Sequence, residues 1–268
     1  MSLRRRSSQG IPSVRIPILQ VNGYGHTDVG RRRSSNQDAF YIDDRIGLYV
    51  VADGMGGHAA GEVASQEAVE TVYGMVKRGV RDLSVLVDPL DDQAARKAQR
   101  LLESAIQAAT YMVFSIAELD KKKTGMGTTI SAVLVLGTYA VTGQVGDSRI
   151  YKTSGETVEQ LTEDHTLIAW QLKQGLITPA EAKMSPHRNV ITRAVGNREY
   201  VEVDTRLVPL RRGDRLLLCS DGLHGYLRDT DVAPIIKLGG EAGVRKFVDL
   251  ANERGGKDNI TAIIVQID

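Results

Sequence analysis

The stretch that decides the fold is TTISAVLVLGTYAVTGQVGD, at residues 128–147. It holds two runs rich in valine, leucine, isoleucine and threonine, 128–136 and 139–147, which only Gly137 and Thr138 separate. Short runs of this composition, bounded by glycine or aspartate, are typical of buried strands. A glycine-containing connection of two residues is typical of a tight hairpin turn. The pattern therefore predicts that these two strands are antiparallel neighbours.

Similar short apolar runs lie on either side of this hairpin: GLYVVAD (47–53), DRLLLCSD (214–221) and NITAIIVQI (259–267). Residues 59–80 and 92–119 are instead predicted to be long helices, the second with an apolar stripe along one face. A further helix is predicted near 240–252, and the more polar stretch 162–197 is predicted to leave the main core. Clustered strands separated by long helices indicate an α+β domain in which helices cover antiparallel sheet.

The bulk composition excludes several classes of protein. With 268 residues, 42% of them hydrophobic, the chain is long enough for one large domain. The formal net charge of +1 argues against a general nucleic-acid-binding surface. The single cysteine, Cys219, cannot form an internal disulfide, which favours a reducing compartment. No apolar run approaches the roughly 18 residues of a membrane span. We therefore expect a cytoplasmic protein that binds neither nucleic acid nor membrane. We also expect a monomer, although composition does not determine the oligomeric state.

The chain begins with a basic head, MSLRRRSSQG, that lacks the apolar core of a signal peptide. We expect residues 1–19 to form a solvated basic tail. Residues 20–268 are then predicted to be a single domain, within which 162–197 forms a small subdomain.

Aspartates stand where four of the predicted apolar strands end or begin: Asp53, Asp147, Asp221 and Asp258. Each has a small or polar neighbour, and taken alone each can be explained as a turn residue. Taken together they suggest another explanation, because buried strands can bring their end residues to one rim of a sheet. Carboxylates brought together repel one another unless a cation neutralises them, and hard divalent cations prefer oxygen ligands. A carboxylate bridging two cations would help to lower the pKa of a shared water.

Longer motifs follow one another along residues 27–267. They are DVGRRRSSNQD (28–38), VADGMGGHAAGE (51–62), GMGTT (125–129), GDSRIY (146–151), LTEDH (161–165), RNVITRAVG (188–196), LCSDGL (218–223) and GGKDNIT (255–261). In this order they resemble the type 2C, metal-dependent serine/threonine protein phosphatase family in its bacterial form.

The resemblance implies a fold and a metal site. It implies a β-sandwich of two antiparallel sheets flanked by helices, in four αββα layers, with residues 162–197 as a mobile flap beside a cleft at one end. It implies two Mn²⁺ or Mg²⁺ ions in that cleft, and possibly a third. Their ligands would be Asp53 as the bridge, the Gly54 carbonyl, Asp221, Asp258, Asp38 through a bound water, and Asp147 at the third site.

Arg33 stands five residues before Asp38, where the resemblance implies an arginine that binds the substrate phosphate. A planar guanidinium can donate two parallel hydrogen bonds to a phosphate. The alternative is that Arg31, Arg32 and Arg33 form a solvated basic turn. We expect Arg33 in the site and the other two outside it.

The chain departs from the family pattern at three positions, one of which is Ser185, before Pro186, where the family often has histidine. Gln37 stands where many members have glutamate, and Met55 where animal members carry a histidine proposed as general acid. His58 could supply that proton or could simply pack near the following helix. His165 could touch substrate or only order the flap.

The function implied by the resemblance is hydrolysis of phosphoserine and phosphothreonine in proteins. A water or hydroxide that bridges two divalent cations would attack, without a covalent phosphoenzyme. Partners would be phosphorylated proteins, including a serine/threonine kinase and its substrates. Cys219 does not fit a thiol nucleophile, because the arginine that such a phosphatase needs six residues later is Gly225 here. The alternative is a non-catalytic pseudophosphatase that binds phosphoproteins.

Overall fold

The computed structural model describes residues 19–57, 60–83, 92–187 and 189–268. The predicted tail up to residue 18, most of the connector between the long helices, and His58 lie outside the described residues. The strands are β1 Val21–Asp28, β2 Asp38–Asp43, β3 Leu48–Met55, β4 Gly127–Thr128, β5 Ile130–Leu136, β6 Tyr139–Val145, β7 Arg149–Ser154, β8 Thr157–Gln160, β9 Asp204–Pro209, β10 Arg215–Cys219 and β11 Ile260–Ile267. The helices are α1 Ala60–Leu83, α2 Asp92–Leu119, α3 Leu167–Lys173, α4 Pro179–Met184, α5 Asp221–His224, α6 Asp229–Ile236 and α7 Gly240–Glu253.

The strands form two sheets, and every described strand pair within them is antiparallel. The first sheet has the order β1-β11-β10-β7-β8. The second has the order β2-β3-β5-β6-β9, with the short β4 paired to β3. The predicted hairpin is confirmed as β5–β6, whose register pairs Leu136 with Tyr139 next to the turn.

Three clusters of buried side chains separate four layers. One lies between the second sheet and helices α1 and α2, and includes Val50, Leu102 and Leu134. Another fills the space between the two sheets. The third joins the first sheet to α5, α6 and α7, with Phe247 fully buried. This arrangement confirms the predicted α+β sandwich of four αββα layers. Helices α3 and α4 lie between β8 and β9 in the sequence, within the stretch 162–197 that is predicted to form a small subdomain.

The sequence pattern did not indicate β1 or β2. Every residue of β1 is only partly buried, and glycine, histidine and threonine alternate with its few apolar side chains. No apolar run therefore marks it, although it is hydrogen-bonded to β11 along its whole length, from Val21–Ile267 to Asp28–Ile260. Among the described residues, no helix is both long and apolar enough to cross a bilayer.

Candidate active site

Two of the predicted site aspartates face each other across a strand pair. Asp38 begins β2, and its register partner on β3 is Asp53. The five residues before Asp53, 48–52, are fully buried, so β3 runs through the core and delivers Asp53 at its end. Burial of apolar strand residues fixes the register, because a slip of one residue would turn every side chain to the opposite face.

The main chain of Asp53 is held by the threonines of the GMGTT motif. The Asp53 N–H donates to the Thr129 hydroxyl (3.0 Å), and the Thr128 hydroxyl donates to the Asp53 carbonyl (2.8 Å). The Thr129 N–H donates to the same carbonyl (2.9 Å). Both threonines are fully buried, so these bonds are shielded from water. The motif therefore fixes the position from which the Asp53 carboxylate projects.

Gly54 has to be glycine because the backbone on both sides approaches it closely. A Cβ at this position would lie 2.1 Å from the Gly61 carbonyl oxygen and 2.5 Å from that of Gln37. The Gly54 N–H donates to the same Gln37 carbonyl (3.0 Å). Helix α1 thus begins directly against the end of β3.

The other two aspartates of the predicted pair of metal sites come from the first sheet. Asp221 follows β10 and opens α5, and Asp258 precedes β11, the neighbour of β10. A Cβ at Gly222 would lie 1.9 Å from the Asn259 carbonyl oxygen, so only glycine allows the two segments to approach this closely. The carboxyl groups of Asp53 and Asp221 lie close enough that each affects the pKa of the other, which brings the ends of both sheets together.

The carboxyl groups of this cluster have pKa values above their ordinary range. Burial, with the charges of Asp38 and Asp221 added, raises the pKa of Asp53 well above its ordinary value. Burial and the charge of Asp258 likewise raise the pKa of Asp221. A raised carboxyl pKa means that the site destabilises negative charge unless a cation enters it.

Asp38 is the member of the cluster whose carboxylate accepts hydrogen bonds from two hydroxyls. One of its oxygens, Oδ2, accepts hydrogen bonds from the hydroxyls of Thr261 (2.6 Å) and Ser220 (2.8 Å). Burial nevertheless raises the pKa of Asp38 to about 7, although these two hydrogen bonds act to lower it. The hydroxyls orient the carboxylate but do not neutralise it.

Arg33 is the basic side chain in direct contact with this cluster. Its Nη2 lies 2.7 Å from Oδ2 of Asp258, and half of the Arg33 side chain (51%) remains exposed. The hydrogen bond from Arg33 to Asp258 raises the pKa of the guanidinium further. The half-exposed guanidinium is therefore paired with Asp258, a predicted metal ligand, and its role at the substrate phosphate stays a prediction.

Asp147 lies beside the cluster, at the turn between β6 and β7. Burial, then the charges of Asp221 and Asp164, raise its pKa to about 7. Its carbonyl accepts a hydrogen bond from Nε2 of His224 (2.9 Å), and burial lowers the pKa of that histidine to about 4. His224 is therefore neutral near pH 7 and acts on the main chain of Asp147.

His165 connects the flap to the same turn. The ring Nδ1 of His165 accepts a hydrogen bond from the Gly146 N–H (3.1 Å), and the main-chain N–H of His165 donates to the Gly146 carbonyl (3.0 Å). Nε2 bonds Oδ2 of Asp204 (3.1 Å), which fixes the tautomer with the proton on Nε2. Both ring nitrogens are thus engaged. Of the two roles considered for His165, this geometry favours ordering of the flap.

These residues fit divalent cations by their chemistry. The oxygen ligands that Mn²⁺ and Mg²⁺ prefer are brought together in a buried place, and three of the carboxyls have raised pKa values there. Among residues 19–57, 60–83, 92–187 and 189–268, however, no three histidine, cysteine, aspartate or glutamate side chains form a closed ligand set. The Arg33–Asp258 pair engages Oδ2 of Asp258, one of the predicted ligand oxygens.

The family sequence pattern described as Protein phosphatase 2C matches residues 23–255, which include the aspartates of both sheets as far as Asp221. The chain belongs to this family. Two similar curated relatives are the serine/threonine phosphatase stp of Listeria welshimeri and the protein phosphatase PhpP of Streptococcus pneumoniae. The first is 38% identical over 247 residues, covering 90% of this chain and 93% of the relative. The second is 33% identical over 249 residues, covering 90% and 96%.

Solved structures of the protein phosphatase 2C type have the same fold. The serine/threonine phosphatase PstP/Ppp of Mycobacterium tuberculosis superimposes with a TM-score of 0.80 at 31% identity, covering 92% of this chain and 99% of that one. The catalytic domain of PstP has also been solved in complex with two manganese ions. It matches with a TM-score of 0.79 at 30% identity, over 93% and 99% of the two chains.

The sequence did not identify the residues that hold the aspartates in place. They are Thr128, Thr129, Ser220, Asn259 and Thr261. The buried Asn259 amide donates to the carbonyls of Val29 (3.0 Å) and Ser35 (2.9 Å), which orders the loop that carries Arg33. All five residues lie inside the motifs given above. A small polar residue next to an apolar strand is the sequence pattern by which they could have been predicted.

Proposed function

We propose that this chain is a metal-dependent phosphatase that hydrolyses phosphoserine and phosphothreonine in proteins. The observation that carries the proposal is that four acidic side chains from two sheets, Asp38, Asp53, Asp221 and Asp258, meet in one place within a member of this family. The substrates would be proteins phosphorylated by serine/threonine kinases, including a kinase itself. When bound, two divalent cations would neutralise phosphate charge and lower the pKa of a water.

The side chains of the protein would hold the cations and orient a water molecule. We assign Asp53, Asp221, Asp258 and the Gly54 carbonyl as ligands, and Asp38 as the residue that holds a water. The hydroxyls of Ser220 and Thr261 aim the Asp38 carboxylate, as partners behind a ligand shell generally do. We assign Asp147 to a third, weaker site that it shares with Asp221, whose charge raises the pKa of Asp147.

We assign Arg33 to the substrate phosphate. Its half-exposed guanidinium is tied to Asp258 by one Nη2 contact, which leaves further N–H groups free to donate to phosphate oxygens. Binding of a cation by Asp258 would weaken the Arg33–Asp258 pair and leave the guanidinium available to the dianionic phosphate.

Direct attack by water, without a covalent phosphoenzyme, is supported by the state of the one cysteine. Cys219 is fully buried within β10, and burial raises the pKa of its thiol to about 12, so it is neither accessible nor ionised. His165 and His224 are poor proton donors for the leaving alkoxide. The first has both ring nitrogens engaged, and the second is neutral with its Nε2 on the Asp147 carbonyl. Neither histidine is therefore assigned to that proton transfer.

The test is a hydrolysis assay on phosphothreonine peptides with added Mn²⁺ or Mg²⁺. We expect turnover that requires the metal, disappears with a chelator and returns when metal is restored. Turnover that persists without metal would contradict the mechanism. A burst of product equal to the enzyme concentration, with labelled phosphate retained on the protein, would contradict direct attack by water.

The non-catalytic alternative is less well supported, because every aspartate that the family resemblance requires is present and those of both sheets meet. Calorimetric titration with Mn²⁺ separates the two. A binding module without a working site would take up little metal, whereas the proposed enzyme should bind about two equivalents or more.

A further inference from the structure

Residues of the flap and the core line a cleft of about 760 Å³ that reaches one side of the acidic site. Asp147, Asp221 and Asp258 are among its lining residues, and α3 of the flap contributes an apolar wall of Ile168, Ala169 and Leu172. A cleft of this volume accommodates a drug-sized ligand, which is far more than a phosphate group needs. It therefore has room for residues on either side of a phosphorylated side chain.

The basic residues of this cleft differ in whether they are already paired. Arg149 makes two hydrogen bonds to Asp164, at 2.8 and 2.6 Å, so its charge is balanced locally. Lys183 of α4 and Lys257 of the loop before β11 also line the cleft. In the described part of the chain, neither ammonium group has an ion pair or a hydrogen bond.

Two other lysines of the protein have the carboxylate partner that Lys183 and Lys257 lack. Lys173, on the same flap, is held by Glu163 at 2.8 Å, and Lys152 by Asp214 at 2.9 Å. Lys183 and Lys257 are exposed and directed to a cleft whose other charged groups are the acidic floor and the Arg149–Asp164 pair. The net charge of the whole chain is only +1, so attraction of an acidic ligand here would be local.

We propose that the cleft prefers phosphoproteins with acidic residues flanking the phosphorylated serine or threonine, and that Lys183 and Lys257 provide this preference. The inference rests on the proposed function, since Arg33 and the cations that the aspartates would hold must bind the phosphate before the flanking residues can reach the lysines. An exposed ammonium–carboxylate pair contributes modestly. We therefore expect about a three- to fivefold gain in kcat/KM from each lysine, and about tenfold from the two together.

The experiment compares phosphothreonine peptides of one sequence in which the flanking residues are Asp, Asn or Lys. With Mn²⁺ present, kcat/KM should fall in the order Asp, Asn, Lys, and the ratio between Asp and Asn peptides should shrink at high salt. The Lys183→Glu, Lys257→Glu double variant should reverse the order. Lys173→Glu is the matched control, because it changes the charge of the same flap at a lysine that already has a partner, and should leave the order intact.

Two outcomes would overturn the inference while leaving the proposed function in place. One is equal kcat/KM for Asp and Asn peptides in the unmodified chain, and the other is an order that the double variant retains. Lys257 is next to Asp258, so the double variant could bind less Mn²⁺ than the unmodified chain. In that case the single Lys183→Glu variant is the test. Its ratio of kcat/KM between the Asp and Asn peptides should be three- to fivefold smaller than that of the unmodified chain. Absence of turnover on every peptide and on p-nitrophenyl phosphate, with Mn²⁺ bound, would instead overturn the proposed function and the inference with it.

Discussion

Strand β10 has an aspartate next to each end, buried at Asp214 and partly buried at Asp221, and the two side chains have opposite surroundings. Asp214, before the strand, accepts hydrogen bonds from the Ser154 hydroxyl (2.7 Å) and the Arg211 N–H (2.9 Å), and its Oδ2 lies 2.9 Å from the Lys152 ammonium. Burial acts to raise its pKa, but these partners outweigh burial and the pKa is lowered. Asp221, after the strand, faces Asp53 and Asp258, and burial with the Asp258 charge raises its pKa.

The difference separates a structural carboxylate from one kept ready for a ligand. At Asp214 the protein supplies the cation itself, so the charge is satisfied once the chain folds. At Asp221 and its neighbours, Arg33 is the one described cation in contact with the cluster through a hydrogen bond, and that contact is to Asp258. The remaining negative charge costs stability, and an external cation can recover that cost by binding.

The largest expected effect comes from removing the charge of Asp53 at the centre of the unsatisfied cluster. Asp53→Asn should lower metal-dependent kcat/KM by several orders of magnitude, because the proposed bridge between two cations loses its charge. The same variant should melt at a higher temperature than the unmodified chain in chelator, since one repelling carboxylate is gone. Hydrolysis assays and thermal melts measure both.

The control for that variant is Asp249→Asn, on the exposed face of α7. Asp249 has no hydrogen bond or ion pair in the described part of the chain. Its substitution should therefore change neither kcat/KM nor the melting temperature in chelator. Near-normal activity of Asp53→Asn would contradict the assignment of Asp53.

The next effect is a pH dependence of the metal-free protein. Burial raises the pKa values of Asp38 and Asp147 to about 7 in the folded chain, whereas the unfolded chain releases these protons near pH 4. The folded state therefore holds more protons between these values, and the free energy of unfolding should fall as pH rises from about 4 to 7. Thermal melts in chelator should show a melting temperature several degrees higher at pH 5 than at pH 7.5.

Added Mn²⁺ should cancel or reverse this trend, because metal and protons compete for the same carboxylates. Asp147→Asn should show a weaker pH dependence than the unmodified chain. A melting temperature in chelator that rises between pH 5 and 7.5 would contradict raised pKa values for these aspartates in the metal-free protein.

A smaller effect is expected at Asp214, before β10, whose charge is paired with Lys152. Asp214→Asn should lower the free energy of unfolding by about 2 kcal/mol, because it leaves the Lys152 ammonium without its charged partner. Since the folded-state pKa of Asp214 is lowered, its contribution is present above about pH 4 and is lost as pH falls further. Denaturant unfolding at pH 7 and pH 3 should show the difference between the two chains shrinking at the lower pH, with Mn²⁺ affinity unaffected at pH 7.

The smallest expected effect concerns the hydroxyl that aims Asp38. Thr261→Val removes a 2.6 Å hydrogen bond that favours the charged carboxylate, so the pKa of Asp38 should rise further. Loss of one such bond is worth about 1 kcal/mol, which corresponds to roughly fivefold weaker Mn²⁺ binding by calorimetry. Thr153→Val makes the same change on a buried strand residue, Thr153 of β7, whose hydroxyl bonds the Arg215 carbonyl. It should lower stability without changing Mn²⁺ affinity.

Several elements followed directly from sequence. The hairpin β5–β6, the buried run that ends at Asp53 and the long helices were predicted because apolar periodicity records which face each segment buries. β1 could not be predicted in this way, because each of its residues is half-buried and the strand is defined by hydrogen bonds to β11, more than 230 residues later. The assignments of single residues to metal sites stay predictions.

Sequence alone determined which aspartates stand at the ends of buried strands, and the order of motifs that places the chain in its family. Only the tertiary structure decided that Asp214 is satisfied while Asp221 is not, and that Arg33 pairs with Asp258. The physical reason is that a residue's charge state depends on what surrounds it in space. An aspartate at a strand end has the same sequence signature whether the fold brings it a lysine or another carboxylate.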